Sequence, residues 1–141
     1  MQIATLEDHL CFTVYALSRQ ITCVYRPALE ALVITYPQYL VLVLLWEQDG
    51  RSVKELGQRL YLDSGTLTPL LKRLEEKKLL RRERDTMDER VVNVHLTATG
   101  KALKKDAPTV TDALISKINM PVKQVLELRD QLSALLQSLE V

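Results

Sequence analysis

At 141 residues, 47% of them apolar and 26% charged, the chain has the length and balance of one soluble globular domain. Its longest apolar run, Tyr39 to Trp46, is eight residues, far short of the roughly 20 that a bilayer span needs. Two cysteines make no disulfide framework and no leader-like segment opens the chain, so the expectation is a cytoplasmic protein with no membrane partner.

A formal net charge of +1 says nothing about nucleic acid, but its distribution does. Residues 1–50 carry Arg19 and Arg26 against five carboxylates, net −3, whereas residues 51–84 carry ten Lys or Arg against five, net +5. Such an excess is either a solvated helix face or the footprint of an anionic partner.

In chain order, Leu6, Leu10, Val14, Leu17, Ile21, Val24 and Ala28 recur every three or four residues. They predict one apolar seam on a long first helix, packed against another long helix of this chain or of a second subunit. Pro27 is expected to kink or end that helix, because proline removes a backbone donor. Next, Thr35 or Tyr36 caps a second helix, with Pro37 in its first turn. This helix is apolar on every side through Glu47, which predicts a buried central support. Gln48-Asp49-Gly50 ends it.

Residues 52–96 carry the most organised pattern. A short helix with Val53, Leu56 and Leu60 on one side leads through Tyr61 and Leu62 to Asp63, a good N-cap. A second helix follows, with Leu67, Leu70, Leu71 and Leu74 at helical spacing. Two strand-like runs, Leu79 to Arg84 and Val91 to Leu96, flank the polar tip Asp85-Thr86-Met87-Asp88-Glu89-Arg90. Helix, turn, helix and charged hairpin is the plan of a winged helix-turn-helix that reads double-stranded DNA. After it, Thr97 caps a helix running toward Ile118, bent at Pro108. Asn119-Met120-Pro121 opens a last helix, with Val122, Val125, Leu132, Leu135, Leu136 and Leu139 on its apolar side. The fold class is therefore mainly α with a small β-hairpin wing, in a single domain.

The reading helix presents Ser64, Gly65, Thr66, Thr68, Pro69, Lys72 and Arg73 outward. Short hydroxyls near its N-terminus suit base edges and phosphates, and Gly65 permits close approach. Lys72 and Arg73 lie farther along, as phosphate contacts. Pro69 costs roughly 3 kcal/mol in a generic helix interior but is tolerable near the first turns. Arg84 belongs to the basic wing. Arg90 at its tip suits the electronegative minor groove, with Asp88 placed to hold it or to cap the turn.

The run Asp63-Ser64-Gly65-Thr66-Leu67-Thr68-Pro69-Leu70-Leu71-Lys72 with Asp88-Glu89-Arg90 resembles the reader and wing of the MarR family of dimeric bacterial regulators. Leu10-Cys11-Phe12, Thr35-Tyr36-Pro37-Gln38-Tyr39-Leu40 and Tyr61-Leu62-Asp63 resemble its organic hydroperoxide repressor branch in particular. The resemblance implies a homodimer whose interface comes from residues 1–34 and 97–141. Each module then reads half of a pseudo-palindromic operator.

By residue type alone, Cys11 reads as a small core hydrophobe and each tyrosine as packing. The resemblance instead puts Cys11 at the branch's peroxide-reactive position, and implies that Tyr25 and Tyr36 hydrogen-bond the thiolate from the other subunit. Geometry adds that Tyr15, four residues on, shares a face with Cys11. Tyr25 lies about 21 Å along an unbroken helix, out of its own chain's reach. Cys23 is about 18 Å away, so an intrachain disulfide, which needs Cα atoms within about 7 Å, is excluded unless the helix breaks. An intersubunit Cys11–Cys23 bridge stays open. Residues 97–141 contain no Cys, so the chain is similar to the one-cysteine type, in which a small thiol caps the sulfenic acid or over-oxidation follows.

His9 and His95 have no metal-ligand spacing, and no phosphate loop or Ser-His-Asp set is present. No metal, cofactor or enzymatic activity is expected. The rival readings are a regulator answering a small non-oxidant ligand, with Cys11 structural, and a thiol peroxidase.

Overall fold

A computed structural model describes residues 5–140; residues 1–4 and 141, counted above in the interface segments, lie outside the described residues. A 3-10 turn, Leu6–Asp8, precedes α1 (Leu10–Ala31). Then come α2 (Tyr36–Glu47), α3 (Val53–Leu60), α4 (Ser64–Glu76), β1 (Leu80–Arg84), β2 (Val92–Leu96), α5 (Ala98–Ala102), α6 (Ala107–Ile115) and α7 (Val122–Ser138). The fold is a winged helix-turn-helix with helices before and after it. None of the described helices alone is long and apolar enough to cross a membrane.

The core is built on α2. Val41 and Leu42 are fully buried, with Leu44 and Leu45 nearly so, beside Leu56, Leu67, Leu71, Leu74, Leu80 and Val94 from the reader and wing. Full burial of such a side chain contributes about 1.5–3 kcal/mol, which explains why an all-round apolar helix sits here. Its start is fixed by a capping box: Thr35 Oγ1 accepts the Gln38 amide at 3.4 Å, and Gln38 Oε1 accepts the Thr35 amide at 3.0 Å.

Three expectations are corrected. α1 does not end at Pro27 but runs on to Ala31, with Leu29 of its last turn buried and Ala28 half-buried in the core. Leu6 lies in the preceding 3-10 turn and not on the long helix. The helix foreseen from Thr97 to Ile118 is two helices, α5 and α6, with a 3-10 turn, Leu103–Asp106, between them. Pro108 therefore stands in the first turn of α6, where its missing donor costs no helical bond; the break comes before it.

α1 packs along α6, yet Leu10, Val14 and Leu17 keep about 40–60% of their surface. In α7 no residue is buried.

The wing is a two-stranded antiparallel sheet, Leu80 opposite Leu96 and Arg84 opposite Val92. It is tied to the α2–α3 link. Gly50 donates to the Val94 carbonyl at 3.1 Å, Val94 donates to the Arg51 carbonyl at 2.9 Å, and Ser52 bridges Asn93. Arg51 is buried there. Its Nε donates to the Leu44 carbonyl at 3.1 Å and its Nη1 to Glu55 at 3.0 Å.

Candidate functional site

Asp63 sets the direction of the reading helix. Its Oδ1 accepts the Thr66 amide at 2.7 Å, and this hydrogen bond holds its carboxyl below the usual aspartate range. The turn before it is tight: Tyr61 ends α3 in the left-handed region, φ 56°, and the Leu62 amide returns to the Gly57 carbonyl at 2.9 Å. A Cβ on Gly57 would meet the Leu62 carbonyl oxygen at 2.9 Å, so the close crossing of α3 and the turn depends on that glycine.

With Leu67, Leu71 and Leu74 buried, α4 turns Ser64, Gly65, Thr66, Thr68, Pro69, Lys72 and Arg73 to solvent, together with the cap residue Asp63. The helix continues through Pro69 to Glu76. A cleft of about 900 Å³ runs between reader and wing, with Lys54, Ser64, Thr68, Arg82 and Arg90 on its walls.

At the wing tip, Arg90 grips Asp88 with two bonds, Nε to Oδ1 at 3.0 Å and Nη2 to Oδ2 at 3.1 Å. The pair lowers the Asp88 carboxyl and leaves the Arg90 side chain 91% exposed. The turn itself is organised by Asp85, whose Oδ1 accepts the Met87 and Asp88 amides at 2.7 and 3.2 Å. Its Oδ2 accepts Asn93 Nδ2 at 2.9 Å. Asp88 fills both roles open to it, since its Oδ1 also accepts the Arg90 amide at 3.0 Å, and Asp85 caps the turn one step earlier. Asp85 was missed in the sequence, although an Asp opening a polar four-residue tip is an ordinary turn signal. Arg84 Nη1 donates to the Glu89 carbonyl at 2.9 Å, closing the hairpin from the side.

The second group of residues lies on α1 and α2. Cys11 is exposed in the first turn of α1 as a free thiol, and Cys23 is a free exposed thiol on the same continuous helix, with Arg26 Nη2 3.9 Å from its sulfur. Tyr25 stacks on Tyr36 with ring centroids 5.3 Å apart. Sequence reasoning missed the continuation of this stack: Tyr39 follows at 6.3 Å, then Trp46 edge-on at 6.0 Å. Trp46 Nε1 anchors the far end on the Gly100 carbonyl at 2.9 Å. Burial raises the phenols of Tyr25 and Tyr36, and neighbouring tyrosines raise them further. Both are neutral donors at physiological pH.

Tyr25 and Tyr36 are thus brought together. Their own Cys11 is 14 residues from Tyr25 along one helix, about 21 Å. The Tyr15 ring lies beneath Arg19, 5.7 Å from the guanidinium. His9 turns Nδ1 back to the Thr5 carbonyl at 2.8 Å. Among the described residues, no three His, Cys, Asp or Glu side chains are grouped to hold a metal.

An exposed reader, a clasped arginine wing and a buried support helix define a winged-helix transcriptional regulator. Residues 24–107 match the family described as transcriptional regulator SarA/Rot. The organic hydroperoxide resistance transcriptional regulator of Bacillus subtilis is 46% identical over 134 residues, spanning 95% of this chain and 91% of that one. Among solved structures, reduced AbfR bound to DNA is 36% identical with a TM-score of 0.81, over 95% of this chain and 92% of that one. Overoxidised AbfR bound to DNA is 37% identical with a TM-score of 0.73, over 93% and 94%; AbfR is from Staphylococcus epidermidis. The chain belongs to the MarR-type winged-helix regulators, in the branch of the organic hydroperoxide resistance regulators.

Proposed function

We propose that this chain is a cytoplasmic, homodimeric, redox-sensing repressor that holds a pseudo-palindromic operator when Cys11 is reduced. Organic hydroperoxide then releases it. The observation that carries the reading is the split site: an exposed thiol at one end of α1, and a stacked pair of neutral phenols about 21 Å away at the other. A partner antiparallel along α1 brings its Cys11 to Tyr25 and Tyr36, which then donate to the thiolate. Asp63, Ser64, Gly65, Thr66, Thr68, Pro69, Lys72, Arg73, Arg84, Asp88 and Arg90 form the DNA face of each protomer.

The thiolate sulfur of Cys11 attacks the terminal peroxide oxygen and the O–O bond breaks, giving sulfenic acid and an alkoxide that leaves as the alcohol with a proton from water. The sulfenic oxygen takes the place the phenols had occupied, and the dimer shifts to a shape whose two readers no longer match the operator. A small thiol condenses with the sulfenic acid and expels water, giving a mixed disulfide. The role is stoichiometric: one peroxide is consumed per Cys11, without turnover. AbfR has been seen on DNA both reduced and overoxidised, so the test must read the oxidation product together with binding.

Operator binding is measured by fluorescence anisotropy with and without cumene hydroperoxide, alongside intact mass. The wild type is expected to gain oxygen or a thiol adduct on Cys11 and to dissociate. Cys11→Ser is expected to bind and stay bound; peroxide-driven release of that variant refutes the mechanism. An unmodified Cys11 in the peroxide-treated wild type would instead favour a regulator answering a small ligand.

A further inference from the structure

The far end of the reading helix is fastened to the turn that carries Tyr36. Lys77, the C-cap of α4, donates its Nζ to the Val33 carbonyl at 2.5 Å and to Gln38 Oε1 at 3.1 Å. Both acceptors belong to the junction between α1 and α2. Val33 lies at φ 58°, the left-handed position of the turn that ends α1. There its amide bonds the Glu30 carbonyl at 3.0 Å, and the Ile34 amide bonds the Leu29 carbonyl at 3.1 Å. A β-branched residue in that region is an outlier and persists where surrounding contacts fix it.

Gln38 is buried and already serves the capping box with Thr35. Its Oε1 therefore accepts two donors, the Thr35 amide and Lys77. Tyr36 lies between the two box residues. One ammonium thus joins the end of α1, the start of α2 and the end of α4.

We propose that Lys77 is a positioning residue that transmits the state of the tyrosine pair to the reading helix. The idea rests on Tyr25 and Tyr36 serving as the sensor's phenols. A displacement of Tyr36 tilts the first turn of α2 and moves Gln38 Oε1 and the Val33 carbonyl together. Lys77 follows them, and with it the end of α4. The core contacts between α2 and α4 are apolar and non-directional, whereas an ammonium shared by two oxygens at hydrogen-bond distance is directional. Coupling of this kind requires an element that both sites bias, and the α1–α2 junction is that element.

The experiment compares wild type, Lys77→Met and Lys77→Arg as full chains. For each, operator affinity is measured before and after cumene hydroperoxide, with Cys11 oxidation followed by intact mass and folding by thermal melting. Coupling factors between sites typically fall at about 5–150-fold. Lys77→Met is expected to lose most of the wild-type ratio between reduced and oxidised affinities while Cys11 oxidises at the wild-type rate. Lys77→Arg, which keeps the cation and its donors, is expected to retain more of it.

A Gln38→Leu substitution is expected to reduce the ratio too, and to add little on top of Lys77→Met. A Lys77→Met protein with the wild-type ratio overturns the proposal. So does an equal loss of affinity in both states, which marks a brace or a phosphate contact. If the wild type itself oxidises at Cys11 without releasing DNA, the sensor reading fails first, and the role of Lys77 with it.

Discussion

Gly65 isolates the competing demands on a single residue. It sits exposed in the first turn of α4, and a Cβ there would have Asp63 Oδ1 as its nearest neighbour at 3.5 Å, an ordinary contact. Alanine thus fits and is the better helix former, by about 0.5–1 kcal/mol. Yet the added methyl stands on the face assigned to DNA. Gly65→Ala is expected to raise the urea midpoint while weakening operator binding by about tenfold, or roughly 1.4 kcal/mol. A gain in both quantities would take Gly65 off the DNA face. The tyrosines show the same tension. Burial lifts Tyr25 and Tyr36 above their ordinary 10.0, so their ionisation is disfavoured in the fold. That part of the fold's stability is intact below the ordinary value and is lost only as strongly alkaline pH ionises them.

At the scale of elements, the helix-turn-helix is set by a close crossing that leaves no room for a side chain. Gly57→Ala would push its methyl against the Leu62 carbonyl, and overpacking of this kind typically costs about 1–3 kcal/mol. The variant is expected to unfold at lower denaturant and to bind operator more weakly, because Leu62 leads directly to the Asp63 cap. An unchanged midpoint would show that the turn relaxes freely. This was a legible part of the sequence: Asp63, Thr35 and Thr97 each act as caps in the structure, and the wing begins and ends within one residue of the expected bounds. Local chemistry decides such features, so local sequence reports them. Pro27 does not end its helix, since the turn beyond it packs into the core, and Pro108 does not bend one, since the 3-10 turn precedes it. Arg51 was counted into a basic surface but is buried against Glu47, Glu55 and a helix carbonyl. No charge sum along the chain reveals that. The Lys77 clasp joins residues 39 and 44 apart in sequence, beyond any periodicity.

For the whole molecule, what matters is the apolar surface one chain leaves uncovered. Leu10, Val14 and Leu17 on α1, with Val122, Leu135, Leu136 and Leu139 at the other end of the chain, stay at least a third exposed. Exposed apolar side chains of this kind are what the proposed dimer interface would cover. Replacing Leu17 and Leu136 together by Glu is expected to give a monomer by analytical ultracentrifugation. Operator affinity should fall by roughly 100-fold or more as the second half-site is lost. A dimer that survives both substitutions would place the interface elsewhere. The bare α7 carries a last consequence. In the proposed dimer, α7, which has no buried residue, would draw its support from the partner, so the paired molecule is favoured by mass action as well as by its sequence. Each tenfold dilution removes about 1.4 kcal/mol from the paired state. The amount of this protein a cell keeps is therefore itself a setting of the switch. Scarce chains come apart and leave the operator without any oxidant, whereas abundant ones stay paired and need oxidation to release it.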